Sequence, residues 1–115
     1  MMKRILVVEP DRTNDRIMKT VLKNFSFASV INIQRARELL AKGSSFDLLV
    51  ICSTVERPGD GHEFAKQVYS GNRNQKLLVL YTGQLDDQQA GIYYFDYNDW
   101  NDDTMHWAVN KIFPN

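Results

Sequence analysis

The chain has 115 residues, of which 43% are hydrophobic, and it carries 14 basic and 14 acidic side chains. This length is typical of one domain, and the apolar content is sufficient for one buried core. A formal net charge of zero argues against nonspecific binding to nucleic acid or to membranes by bulk electrostatics. We therefore expect one domain over residues 1–115, with neither nucleic acid nor membrane as its partner.

The sequence also indicates the cellular compartment of the protein and whether it binds a metal or cofactor. The N-terminus MMKRILVVEP lacks the long apolar region and the cleavage site of a signal peptide, and no run of 18 apolar residues follows. Cys52 is the only cysteine, and no Cys/His cluster has the spacing of zinc ligands. We expect a cytoplasmic protein without a metal or cofactor, and we expect His62 and His106 to be ordinary surface residues of helices.

The first half of the chain alternates apolar strands with helical periodicity. Residues 5–8 are a continuous aliphatic run, which is typical of a strand covered on both faces. Asp11 can cap a helix that extends to about Phe25. A weaker strand at 28–31 precedes a helix at 34–41, which Gly43 is suited to end.

The same alternation continues in the second half. Strands are predicted at residues 48–52, 77–81 and 92–97. Two further helices bury apolar stripes, one around Phe64, Ala65, Val68 and Tyr69 and the last around Met105, Ala108, Val109 and Ile112. The segment 82–91 has room for at most one or two helical turns.

Strands alternating with helices predict an α/β fold with a parallel sheet. Five strands favour a doubly wound sheet of flavodoxin-like order 2-1-3-4-5 with a shortened fourth helix, in which the functional crevice lies at the carboxyl ends of the strands. The chain segments that follow strands one, three, four and five are therefore where functional side chains are expected.

Along almost its whole length, from Lys3-Arg4-Ile5-Leu6-Val7-Val8 through Ala90-Gly91 to the last helix, the chain resembles the response-regulator receiver (CheY-like) family of two-component signalling. In that family two acidic residues follow strand one, an aspartate that accepts phosphate ends strand three, a Thr or Ser ends strand four, and Lys-Pro ends strand five. A divalent ion and the lysine neutralise the charge that develops during phosphoryl transfer.

The chain departs from this pattern at the positions that carry the chemistry. Glu9 matches the first acid, and the resemblance implies that it forms a vestigial acidic pocket with Asp11, but Pro10 replaces the acid that should bind the metal directly. Counting from Asp47 places Cys52 at the acceptor position, whereas counting back from Gly61 places Ser53 there. Neither residue is a carboxylate.

The positions that respond to phosphorylation in the family are only partly kept. Thr82 matches the switch Thr, while Asn98 and Asp99 replace the Lys-Pro pair. The resemblance therefore implies a pseudo-receiver that is not an enzyme and acts without phosphorylation, through protein contact. Simple structural roles are also open: Glu9 can form a salt bridge, Thr82 can cap the next segment, and Cys52 can be a buried apolar residue.

Two alternatives remain from the residues alone. A loop carboxylate, Glu56 or Asp60, could replace the missing acceptor and bind Mg²⁺. A thiol-based sensor would instead require an exposed Cys52 with a lowered pKa.

The last third of the chain offers a candidate partner face. Residues 77–110 contain six Asp and no Lys or Arg, next to a cluster of aromatic residues. Such a composition is typical of docking surfaces for a basic protein or a second copy. The candidate residues are Tyr94, Tyr97, Asp99, Trp100 and Asp102. The alternative, equally open, is that most of these aromatic side chains fill the core where the fourth helix is short.

Overall fold

The computed structural model describes residues 3–11, 16, 18–20, 22–23, 25–83, 85 and 87–113. Their strands form one parallel sheet of order β2-β1-β3-β4-β5. The strands are β1 (Arg4–Val8), β2 (Ser26–Val30), β3 (Leu48–Cys52), β4 (Lys76–Tyr81) and β5 (Tyr93–Asp96). This arrangement confirms the predicted fold class and strand order.

Three helices have both ends within the part of the chain that the structure describes. They are α1 (Ile33–Ala41), α2 (Asp60–Gly71) and α3 (Asp102–Ile112), and a short 3₁₀ helix spans Tyr97–Asp99. Residues 16 and 18–20 are also helical, but much of the helix predicted over 11–25 lies outside the described residues. Local sequence explains the ends: Asn32 accepts the Arg35 N–H at the start of α1, and Gly43, with φ +86°, follows its C-terminus as expected.

Helices cover both faces of the sheet, and each face has its own apolar core. On one face, Ile5, Val7 and Val50 pack with Met18 and Leu22 and with the inner side of α3. The other face packs Leu6, Val8, Leu49 and Ile51 against α1 and α2. Because β1 and β3 are buried on both faces, they have the continuous aliphatic sequences from which they were predicted.

The fourth crossover differs from the others. None of the described residues 82–83, 85 and 87–91 is helical, in agreement with the lack of room for a normal covering helix. Strand β5 ends at Asp96, one residue before the predicted end, because Tyr97 begins the 3₁₀ helix. None of the helices in the described part combines the length and the apolar character that crossing a bilayer requires.

Candidate functional site

The carboxyl ends of β1, β3 and β4 surround a cavity of about 250 Å³. Its walls come from the segments in which functional residues were expected. They are formed by Glu9, Pro10, Asp11, Cys52, Ser53, Thr82 and Tyr97, together with Thr54 and Leu80. We call this cavity the strand-end pocket.

Glu9 is the buried carboxylate of the strand-end pocket, with 2% of its surface exposed. Its Oε2 atom accepts hydrogen bonds from the Cys52 thiol (2.7 Å) and from the Tyr97 hydroxyl (2.6 Å). Its Oε1 atom accepts the backbone N–H of Asp11 at 3.0 Å. Both carboxylate oxygens are therefore held by donors of the protein itself, and this network takes the place of the salt bridge that was considered for Glu9.

Both residues that compete for the acceptor position line the pocket. Cys52 is the last residue of β3, and its side chain meets Glu9 directly. Burial, first, and then the hydrogen bond to Glu9 and its negative charge raise the pKa of the Cys52 thiol far above its ordinary value. Ser53 is buried one residue further on, and its carbonyl accepts the N–H groups of Gly61 (3.0 Å) and His62 (3.3 Å).

The residue after β5 that lines the pocket is Tyr97, and not Asn98 as the comparison with the receiver pattern indicates. Asn98 is exposed, and its N–H donates to the Asp96 carboxylate at 2.9 Å. Tyr97, which had been placed on the partner face, instead directs its hydroxyl to Glu9. Burial and the hydrogen bond to Glu9 raise the pKa of Tyr97 well above its usual range. The prediction for Tyr97 is wrong because the 3₁₀ helix turns its side chain inward.

The two loop carboxylates do not line the strand-end pocket. Asp60 accepts the N–H groups of Val55 (2.7 Å), Glu56 (3.0 Å) and Arg57 (3.0 Å), so it closes the loop that precedes α2. Burial acts to raise the pKa of Asp60, but these N–H groups and that of Gly61 outweigh it and lower the pKa. Glu56 is exposed on the same loop and lines a separate surface cavity with Asp60 and Arg57.

The donor set of the strand-end pocket does not suit Mg²⁺, the ion that the family resemblance implies. Mg²⁺ requires oxygen ligands in near-octahedral geometry, usually including one or two carboxylates. Glu9 and Asp11 both line the pocket, but the Glu9 carboxylate already accepts three hydrogen bonds, a thiol stands next to it, and Pro10 supplies no side-chain ligand. Within the described residues, no group of three or more His, Cys, Asp or Glu side chains could hold a metal ion.

The aromatic residues proposed for the partner face have different environments. Trp100 is buried, with 7% of its surface exposed, and its indole N–H donates to the Met18 sulfur at 3.3 Å. Its assignment to an exposed face is wrong, because it fills the core between the sheet and α3. Tyr94 is half-buried, and its hydroxyl accepts the Gln89 N–H at 2.7 Å.

His62 is also more buried than predicted, with 8% of its surface exposed. Its Nε2 atom lies 2.8 Å from the Tyr94 hydroxyl, and the two rings meet edge to face. The contact joins α2 to β5.

A surface remains exposed along β5 and α3, which we call the β5–α3 edge. Asp99 and Asp103 are exposed there, and Asp102 is the first residue of α3. An apolar groove of about 110 Å³ is lined mainly by Tyr93, Phe95, Trp107, Ala108 and Lys111. Trp107 is 55% exposed, and the sequence signal for this groove is the exposed aromatic residue within the polar stripe of α3.

No family model and no curated protein sequence matches this chain. Its structure is similar to that of the response regulator TrrA from Thermotoga maritima in complex with Mg²⁺ and BeF, with TM-score 0.82, 20% identity and coverage of 97% of this chain and 100% of the other. A CheY-like receiver domain from Methylobacillus flagellatus gives TM-score 0.80 at 14% identity, covering 98% and 100%.

A receiver domain of a LuxO repressor protein from Vibrio parahaemolyticus gives TM-score 0.80 at 14% identity, covering 97% and 90%. The chain has the receiver fold. At these identities the likeness establishes the arrangement of the elements, while the chemistry of the site rests on the residues described above.

Proposed function

We propose that this chain is a cytoplasmic, non-enzymatic receiver-like module in signal transduction that works by protein contact and does not accept a phosphoryl group. One observation carries the proposal: the pocket where receiver chemistry would occur is internally hydrogen-bonded. Glu9 uses both oxygens to accept bonds from Cys52, Tyr97 and the backbone of Asp11.

Phosphoryl transfer to a receiver needs a nucleophilic carboxylate and positive charge close to it. At the end of β3 this chain has a thiol and a hydroxyl, and the thiol is held protonated by burial and by Glu9. The side chain of Asn98, which stands in the lysine position, carries no charge and belongs to an exposed residue. The carboxylate that would attack phosphorus after β3 and the cation that would neutralise the transferred charge after β5 are thus both replaced, whereas Glu9 and Thr82 are kept.

The environment of the alternative groups also favours this proposal. A reactive thiol needs exposure and a lowered pKa, whereas Cys52 is 6% exposed and its pKa is raised. Asp60 would have to give up three backbone hydrogen bonds before it could serve as an acceptor. Exposing and deprotonating Cys52, or breaking the hydrogen bonds of Asp60, would cost free energy, whereas the proposed contact function requires neither change.

The surface for protein contact in this proposal is the β5–α3 edge. It combines exposed acidic side chains with an exposed tryptophan, and Lys111 is the one basic residue among those that line its groove. A basic protein or a second copy is the expected partner class.

The test is the intact mass of the full chain after incubation with acetyl phosphate and Mg²⁺. We expect no change in mass, under conditions in which a receiver with an acceptor aspartate is labelled in parallel. A stable addition of one phosphoryl group would overturn the proposal. The variants Ser53→Ala, Glu56→Gln and Asp60→Asn would then identify the acceptor by loss of that addition.

A further inference from the structure

The edge strand β5 has a side that no other strand occupies in the described part of the chain. It pairs with β4 from Leu78↔Tyr93 to Tyr81↔Asp96 and is the last strand of the sheet. In an edge strand, alternate residues direct their N–H and C=O groups away from the sheet, where another extended chain can bond to them. All four residues of β5 are partly exposed, which is consistent with an accessible edge.

Side-chain recognition is available next to this backbone edge. The groove beside β5 is walled by Tyr93, Phe95 and the half-exposed Trp107. The Phe95 and Trp107 rings lie 6.0 Å apart at 60°, so they form one wall of two contacting aromatic rings. An added strand places alternate side chains on one face, and a groove on that face can accept apolar side chains of moderate size.

The charge around β5 selects the kind of chain that would add there. Asp96 ends the strand, and Asp99 and Asp103 are exposed just beyond it. Lys111 is the cation of the groove, and its Nζ lies 5.0 Å from the centre of the Trp107 ring. A basic segment added along β5 would meet opposite charge at the end of the strand where these acids lie.

The other edge of the sheet has different surroundings. The cavity beside β2 is lined by Val30, Arg35, Glu38, Leu39 and Lys42, two of which are basic. Glu38 there is already paired with Arg35 at 3.5 Å. A basic segment is therefore favoured at β5 and disfavoured at β2.

We infer that β5 is a docking edge for an extended basic segment of a partner protein, which adds as a sixth strand and places alternate apolar side chains in the groove beside Trp107. This inference rests on the proposed contact function and names its partner chemistry. Main-chain hydrogen bonds supply the affinity, while the groove and the acids supply the specificity.

The probe is a capped seven-residue peptide of alternating lysine and valine, titrated into the full ¹⁵N-labelled chain. We expect shift changes and slower amide exchange centred on residues 93–96. The same peptide with glutamate for lysine should not bind. Of two N-methylated versions, one methylated at the valines and one at the lysines, only one should lose binding, because only alternate N–H groups of an added strand face β5.

Variants of the chain test the two sources of specificity. Asp99→Lys with Asp103→Lys should weaken binding of the lysine peptide about tenfold, whereas Glu56→Lys, on the loop before α2, should leave it unchanged. Trp107→Ala should weaken binding, and Trp107→Phe should restore part of it. Slow amide hydrogen exchange and well-dispersed chemical shifts in the spectra of the free variants establish that each variant is folded.

The inference is overturned if the glutamate peptide binds equally well, if both N-methylated peptides bind like the parent, or if shifts centre on β2. It is also overturned if light scattering shows that the free chain is a dimer paired through β5 and the peptide does not dissociate that dimer. Absence of peptide binding with an unchanged mass after acetyl phosphate would refute this docking mode alone. Addition of a phosphoryl group would refute the proposed function instead.

Discussion

The strand-end pocket and the β5–α3 edge lie at neighbouring parts of one sheet but differ in how their polar groups are satisfied. In the pocket, the buried Glu9 carboxylate receives three hydrogen bonds from its own chain. At the edge, Trp107 is 55% exposed, and the outer side of β5 lacks a strand partner within the described residues. The buried carboxylate of the pocket is thus satisfied by its own chain, whereas the outer side of β5 can still pair with a further extended segment.

This contrast changes what a receiver fold can do. A pocket whose polar groups bind a ligand can transmit the presence of that ligand to the surface. Here Glu9 binds donors of its own chain, and Tyr97 links β1 and the end of β5 through Glu9 without a ligand. We therefore expect the surface state to be constitutive, and the strength of the pocket network can be measured directly.

The largest expected effect concerns the support of the pocket by α2. Gly61 packs against the end of β3, where an added Cβ would lie 1.7 Å from the Cys52 carbonyl oxygen. Because this oxygen belongs to the backbone of β3 and cannot rotate away from the added Cβ, Gly61→Ala should lower the free energy of unfolding by about 3 kcal/mol. The measurement is urea denaturation followed by circular dichroism.

Gly71 is the matched control, because it ends the same helix and an added Cβ there meets nothing within 4 Å. Gly71→Ala should raise the free energy of unfolding by about 0.5 kcal/mol. Equal effects of the two substitutions would show that α2 does not approach β3 as closely as described.

The second prediction tests whether the pocket is stabilised by its own donors. Glu9→Ala leaves the Cys52 thiol and the Tyr97 hydroxyl without their acceptor and should cost about 2 kcal/mol of unfolding free energy. Tyr97→Phe should cost about 1 kcal/mol in the natural chain and almost nothing in the Glu9→Ala background. The double-mutant cycle in urea gives this coupling.

A gain in stability from Glu9→Ala would contradict the internal network. It would mean that desolvation and repulsion of the carboxylate outweigh the hydrogen bonds that it accepts, as in a pocket that is incomplete without a cation. Cys52→Ala separates the two donors, because it removes the thiol and leaves the Tyr97 bond to Glu9 in place.

The third prediction is made for the edge. Trp107 contacts Phe95 and Lys111 but is more than half exposed, so Trp107→Ala should cost only about 1 kcal/mol of unfolding free energy. Trp100→Ala, which empties a buried site, should cost about 3 kcal/mol. Similar costs for the two tryptophans would argue against an exposed, partner-directed role for Trp107.

Much of the fold could be predicted from the sequence because its strongest signals are local. The aliphatic runs of β1, β3 and β4 indicate strands buried on both faces, and their alternation with helical stripes predicts a parallel sheet. The shortness of segment 82–91 also limits what can cover β5. Each of these inferences needs only the residues of one element.

The pocket could be predicted less fully. Its location followed from strand ends, and Glu9, Cys52, Ser53 and Thr82 do line it. Tyr97 and Asn98 exchanged roles because one 3₁₀ turn after β5 decides which of two adjacent side chains points inward. Trp100 and His62 could not be assigned as buried from the sequence, since their burial depends on contacts with Met18 and Tyr94, which are distant in sequence.

The smallest expected effect tests the link between the two regions. The His62 N–H donates to the carbonyl of Ser53, which lines the pocket, and its imidazole contacts Tyr94 of β5. Burial, first, and then the charge of Lys66 lower the pKa of His62 below 6.5, against opposing contributions from Asp87 and Glu63. The unfolded chain therefore binds a proton more readily than the folded chain as pH falls through 6.5.

It follows that this contribution to stability is complete above about pH 6.5 and is lost as pH falls toward the folded pKa of His62. His62→Gln should flatten that part of the dependence of unfolding free energy on pH. NMR titration of the imidazole gives the pKa directly, and the amide of Tyr94 should follow the same curve if the contact joins α2 to β5. Two results would mean that the pocket and the edge are not linked through this histidine. One is an imidazole pKa at or above 6.5, and the other is a Tyr94 amide shift that does not change as the imidazole titrates.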